Sequence, residues 1–169
     1  MESLTFAALV VLPVLMIVAG LYDLTTMKIP NWISLALLAA FFPAALLVGL
    51  PGGEIAVHVG VGVAALLVGM ALFALNWVGG GDAKLLAAGC LWMGLTGSAL
   101  FLLHSALVGG SFCLALLTLR RVVPPYPGFP TWMSRLLEPK GDVPYGVALA
   151  GGALLAFPNS ALVTAFVGG

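Results

Sequence analysis

The sequence predicts an all-α, polytopic membrane fold of six transmembrane helices, and three observations point that way. Of 169 residues, 62% are hydrophobic and 7% charged, whereas a soluble domain carries about 25% charged residues. The apolar residues gather into runs close to the ~20 that cross a bilayer. The basic residues all fall in one alternate set of the loops between those runs.

Six acidic and six basic residues cannot cover the surface that a soluble domain of this length leaves exposed. The bilayer is the solvent that remains. Zero net charge and the lack of a basic run argue against nucleic acid as a partner, because neutralising phosphate takes clustered Lys and Arg. Cys90 and Cys113 lie in apolar runs with no Cys or His at ligand spacing, so no metal site is expected and both read as small core residues. Met1 to Thr5 has no positive charge and carries Glu2, the wrong start for a signal peptide, so the first run reads as a retained helix.

Taken in order, the spans are Leu4 to Tyr22, Trp32 to Leu50, Ile55 to Trp77, Ala83 to Leu95, Ser98 to Leu119 and Pro144 to Val167. Ala83 to Leu119 as one helix would be about twice a bilayer crossing, so a turn is placed at Thr96-Gly97-Ser98. The resulting fourth helix rises only ~20 Å against a ~30 Å hydrocarbon core. Its glycine-rich start therefore sits at membrane depth, where irregular backbone must be buried in protein or line a hydrated cavity. A hydrated pocket near Asp82 follows.

Lys28, Lys84, Arg120, Arg121, Arg135 and Lys140 share one set of loops, and Glu2 and Glu54 the other. By the positive-inside rule the first set is cytoplasmic and both termini are outside. The loop of about residues 120–143 opens with Pro124, Pro125, Pro127 and Pro130, which favour extended chain. Trp132, Met133, Leu136 and Leu137 then recur at helical spacing opposite Arg135 and Glu138, as in a short helix on the membrane surface. With no internal repeat, residues 1–169 read as a single membrane-embedded domain. Trp32, Trp77 and Trp132 read as interfacial anchors, and Gly60, Gly62, Gly69, Gly109 and Gly110 as close helix contacts.

Two acidic residues stand out. Asp23 follows an uninterrupted apolar helix, and Asp82 ends the run Gly79-Gly80-Gly81-Asp82. Ionisable groups at membrane depth are costly and point to function, and the topology puts both on one side. Two facing carboxylates share a proton, one serving as base and one as acid. The base takes a proton from a water between them while the acid protonates a scissile carbonyl, and the roles then reverse as the amine leaves. No metal, cofactor or covalent nucleophile is needed. Glycines before Asp82 let the chain turn sharply and a peptide approach its backbone.

Helix capping competes with this chemistry: Asp23 as N-cap of the second helix or paired with Lys28, and Asp82 as cap of the fourth beside Lys84. His58 and His104 sit on the opposite side and read as packed or interfacial. Ser34, Ser105 and Ser111 have no neighbouring base, which leaves a serine peptidase without support.

Three segments carry a resemblance to the type IV prepilin peptidases, polytopic aspartyl peptidases that share a G-x-G-D motif with presenilin-like intramembrane proteases. Asp23 to Asn31 resembles the family's first catalytic aspartate and its Ile-Pro-Asn turn, here Ile29-Pro30-Asn31. Gly79 to Leu86 is similar to the G-x-G-D segment with the second catalytic aspartate and a following lysine, Lys84. Lys140 to Ala148, with Asp142 and Tyr145, resembles the start of the family's last helix.

The closest likeness is to short members that serve Flp or tight-adherence pili. It implies cleavage of a prepilin at the cytoplasmic face of the bacterial inner membrane, between a short leader and a hydrophobic helix, typically just after a glycine. Longer members carry an N-terminal cytoplasmic domain with paired cysteines that methylates the new pilin N-terminus. No such segment is recognised here, so leader cleavage without N-methylation is implied. Glu138 or Asp142 would attract a basic leader, Lys84 and Lys140 would orient substrate or bias the dyad, and Tyr145 is a further candidate contact. The oligomeric state is not specified. Three competitors stand beside this reading: a proton-relaying transporter, a non-catalytic assembly factor with aspartate caps, and an intramembrane protease for another helix.

Overall fold

The computed structural model describes residues 2–123, 126, 128–139 and 141–168. The extended chain expected at Pro124, Pro125 and Pro127 and the contact expected at Lys140 lie outside those residues. Every regular element is helical among the described residues: α1 (Glu2–Thr26), α2 (Asn31–Leu47), α3 (Gly52–Ala74), α4 (Gly80–Val122), α5 (Thr131–Leu136), α6 (Tyr145–Ala156), a 3-10 turn (Phe157–Asn159) and α7 (Ala161–Gly168). Four segments are long and apolar enough to cross a membrane: α1, α3, α4 and the α6–α7 stretch; α2 is shorter. Large apolar side chains such as Leu4, Leu35, Leu67, Leu107 and Val122 face outward, the arrangement of a protein whose solvent is lipid. The chain is a membrane protein.

At the centre stands α4, packed on α3 and α6, while α1 packs on α6 and α2. It is not one straight rod. Gly94 adopts φ 67°, ψ −168°, a region open essentially to glycine alone. Ser98 Oγ then donates to the carbonyls of Gly94 and Cys90. Cys90 is eight residues back, ~12 Å away along an unbroken helix, so the chain has folded over. Gly89 likewise lies against the ring of Phe101. We call residues 80–93 the first arm of α4 and residues 95–122 the second.

The turn in α4 thus falls at Gly94, earlier than the Thr96-Gly97-Ser98 position expected from the polar flanks of Gly97. His58 explains the choice. Its Nδ1–H donates to the Leu91 carbonyl at 2.7 Å, one of the acceptors that a helix break leaves without an intrahelical partner. Its ring stacks on Phe41 with centroids 5.5 Å apart. A Cβ on residue 94 would lie 2.5 Å from His58 Nε2. Gly94→Ala should therefore lower the thermal unfolding midpoint in detergent, since the backbone conformation alone costs an alanine about 1–3 kcal/mol. An unchanged midpoint would show that the break does not hold the hairpin.

Other expectations need correction. The last helix is interrupted by the 3-10 turn at Phe157–Asn159, where Pro158 stands at the start and Ser160 is extended. Asp23 lies in the last turn of α1 and does not cap α2, whose N-cap is Pro30. The sharp reversal before the glycine run belongs to Asn76, at φ 57°, while Gly79 has ordinary extended backbone, φ −67° and ψ 145°. Gly62 packs on Leu91, Gly69 on Ala83 and Gly109 on Ala148, as expected of close helix contacts, but Gly60 and Gly110 face open space.

The short helix in the long loop is present as α5. Its half-buried residues include Trp132, Met133 and Leu136, with Ser134 and Arg135 exposed. Met133 and Leu136, with Leu137 just beyond it, share a cavity with Leu116 and Leu119 of the second arm. Arg120 ties this loop down, donating through Nε to the Leu136 carbonyl and through Nη2 to that of Asp142, each at 2.9 Å.

Candidate active site

Two aspartates distant in sequence are carried toward the start of α6, Asp23 by α1 and Asp82 by α4. Met27, held at φ 55°, ends α1, and its N–H donates to the Asp23 carbonyl at 2.8 Å. Lys28 and Ile29 follow, and Pro30 is the N-cap of α2. This tight exit places Ile29 between two glycines. A Cβ on Gly81 would lie 3.0 Å from Ile29 Cβ, and one on Gly146 would lie 2.8 Å from Ile29 Cδ1. Ile29 is thus a wedge between the starts of α4 and α6, seated only because both neighbours lack side chains.

Asp23 is 6% exposed. Its Oδ2 accepts from the Gly146 N–H at 2.6 Å. Gly146 is the second residue of α6, so its N–H is one of the donors that a helix start leaves free. A carboxylate there is also favoured by the helix dipole. Asp23 therefore caps α6 from across the bundle. A Cβ on Gly146 would stand 2.9 Å from Asp23 Oδ2.

Asp82 is the third residue of α4, and its carboxylate reaches back to the backbone of Gly79. That is the geometry of a capping box, in which an acid three residues in satisfies the N-cap N–H. A side chain on Gly79 would lie 2.8 Å from Asp82 Oδ2, so this glycine is there for room. Asp82 Oδ1 has no hydrogen-bond partner among the described residues. Asp82 lines a cavity with Tyr145, the neighbour of the Gly146 that holds Asp23, so both carboxylates are directed to the start of α6. One oxygen of each carboxylate is thus held by backbone.

Lys84 Nζ donates to Asn31 Oδ1 at 2.9 Å, which links the start of α2 to the first turn of α4 and explains both motif positions. Gly80 faces the ring of Phe73. Beside Asp82 opens a cavity of about 410 Å³ lined by Leu86, Ser105, Gly110 and Tyr145, among others, at the position where the sequence calls for a pocket. Tyr145 is 56% exposed. Glu138 lines a different cavity with Arg120 and Tyr126, and Asp142 meets Arg120 through its carbonyl; neither lines the Asp82 cavity. Among the described residues no group of three or more His, Cys, Asp or Glu is placed to hold a metal.

Sequence reasoning missed Ile29 and Gly146 as the pieces that align the aspartates. Both lie in segments it singled out, but their meeting is a contact between residues far apart in the chain. Ser105 was dismissed as a nucleophile, and its place in the Asp82 cavity was not foreseen.

No curated protein and no solved structure matches the chain. The model of the type IV leader peptidase family matches residues 10–114, a stretch that contains both aspartates, the Ile29 turn and the glycine run but stops short of α6. Since that stretch is more than half of the chain, the protein belongs to the type IV leader peptidase family.

Proposed function

We propose that this membrane peptidase is an aspartyl endopeptidase, with Asp23 and Asp82 as its catalytic pair, and that it removes the leader from Flp-type prepilins. One observation carries the reading. Two carboxylates from distant segments are directed to the start of one helix, Asp23 accepting from the Gly146 N–H and Asp82 lining a cavity with Tyr145, while Asp82 Oδ1 has no partner among the described residues.

In this mechanism the ionised partner takes a proton from water, the hydroxyl adds to the scissile carbonyl, and the protonated partner gives its proton to the carbonyl oxygen. Collapse of the tetrahedral intermediate passes a proton to the leaving amine and restores the pair. The backbone donors at Gly79 and Gly146 hold the carboxylates in place through the cycle, so little reorganisation accompanies the charge movement.

The topology proposed with this activity has six crossings, the two arms of α4 counting separately, and both termini outside. The basic loops then face the cytoplasm. The protein would lie in the bacterial inner membrane as a single peptidase unit, its pair meeting the junction between a cytoplasmic leader and the helix that follows.

Co-expression with an Flp-type prepilin tests the activity. Mass spectrometry of the pilin should find a new N-terminus just after the glycine that ends the leader. A pilin that remains full length beside abundant membrane-inserted enzyme would exclude this substrate class.

A further inference from the structure

Arg120 and Arg121 stand in the last turn of the second arm of α4, in different surroundings. Arg121 is exposed. Arg120 is half-buried and directs two donors at backbone, Nε–H at the Leu136 carbonyl and Nη2–H at the Asp142 carbonyl, both at 2.9 Å. Leu136 is the last residue of α5, where a helix leaves its final acceptors without partners and a cation is favoured. Asp142 lies four residues before Gly146, whose N–H holds Asp23 Oδ2 at 2.6 Å. The planar guanidinium thus bridges two points of one loop, which an ammonium on a flexible stem does less well.

The chain from Asp142 to Gly146 is short and stiff. It spans at most ~14 Å. Pro144, the N-cap of α6, is fully buried and has its φ locked by its ring, and Val143 is restricted because a proline follows it. A shift at the Asp142 carbonyl is therefore passed on to Gly146 rather than absorbed. Resting on the assignment of Asp23 and Asp82 as the catalytic pair, we propose that Arg120 is a positioning residue for cleavage. By clamping the Asp142 carbonyl it fixes the start of α6, and through the Gly146 N–H it fixes Asp23. The two arms of α4 then serve both aspartates, the first carrying Asp82 and the second carrying the clamp. Arg120 lines a different cavity from Asp82, so it acts on the reacting groups and not on bound substrate. A charge that merely orients the chain in the membrane is the competing role, and lysine fills that role equally.

The test measures prepilin cleavage by purified full-length wild type, Arg120→Ala, Arg120→Lys and Arg121→Ala, and follows amide hydrogen exchange of the peptide that contains Gly146 in the same preparations. Arg120→Ala should lower kcat by about 10- to 100-fold, the cost of a displacement approaching 1 Å at a reacting group. Its KM should stay within about twofold of wild type, because the lost contact lies outside the substrate cavity. Arg120→Lys should keep most of the loss in kcat, since it retains the charge but not the fork. Exchange at Gly146 should speed by about tenfold or more in Arg120→Ala, as local opening becomes easier, and Arg121→Ala should match wild type in every readout. Added to Asp23→Asn, Arg120→Ala should cost no further rate, because a residue that acts through another is non-additive with it.

Full activity of Arg120→Lys, unchanged exchange at Gly146, or a loss that multiplies with that of Asp23→Asn would each overturn the assignment. A wild type that cuts no prepilin overturns the leader-peptidase reading alone, and faster exchange at Gly146 in Arg120→Ala would still uphold the clamp.

Discussion

Gly146→Val should abolish leader cleavage while the protein still inserts in the membrane. Residue 146 has no room for a side chain: even a Cβ would press within 2.9 Å of Asp23 Oδ2 and 2.8 Å of Ile29 Cδ1. Two branches beyond that Cβ force the start of α6 away from α1. The hydrogen bond from the Gly146 N–H to Asp23 is then lost, and the Ile29 wedge that also touches Gly81 shifts with it. A displacement near 1 Å at a reacting group costs about 10²-fold in rate, and both aspartates move here. Gly60→Ala serves as the control, since its Cβ meets nothing within 4 Å and its activity should equal wild type. Full activity of Gly146→Val would mean that the contact between α1 and α6 does not position the pair.

Asp23→Asn and Asp82→Asn should each reduce cleavage by about 10²–10⁴-fold, the contribution of a positioned acid–base group, with little change in thermal stability. The asparagine carbonyl still accepts the N–H that Asp23 holds at Gly146 or that Asp82 holds at Gly79, and Asn is itself a good cap. What the substitution removes is the proton. Initial rates at matched membrane abundance, beside thermal unfolding of the same preparations, separate the two roles. A helix-cap assembly factor would tolerate either change, and a proton-relaying transporter would lose flux while prepilin processing continued.

How much of this was readable beforehand depends on how far apart the interacting residues lie. Asp23 and Asp82 announced themselves because a carboxylate at the end of an apolar run has few explanations. The Asn31 and Lys84 positions were visible as motif members, but their mutual hydrogen bond was not. Gly94 stayed hidden because it sits in an apolar stretch, while Gly97, three residues on, has the polar flanks of a turn. What selects Gly94 is His58, from another helix, filling the place of a side chain. The glycines before Asp82 were read as the place of a sharp turn, but Asn76 provides the reversal and the glycines sit in close packing. Periodicity and charge report on local structure and on the solvent, whereas Ile29 seated between Gly81 and Gly146 is tertiary packing with no local signature.

The most direct test of a shared acid–base pair is a double-substitution cycle on the rate of leader cleavage, comparing Asp23→Asn, Asp82→Asn and the protein carrying both. Groups that act as one unit are non-additive, so once either is lost the other has nothing left to contribute. The account predicts that the double variant is no slower than the slower single variant. Losses that multiply in the double variant would mean that the two aspartates act independently, and would contradict the paired mechanism.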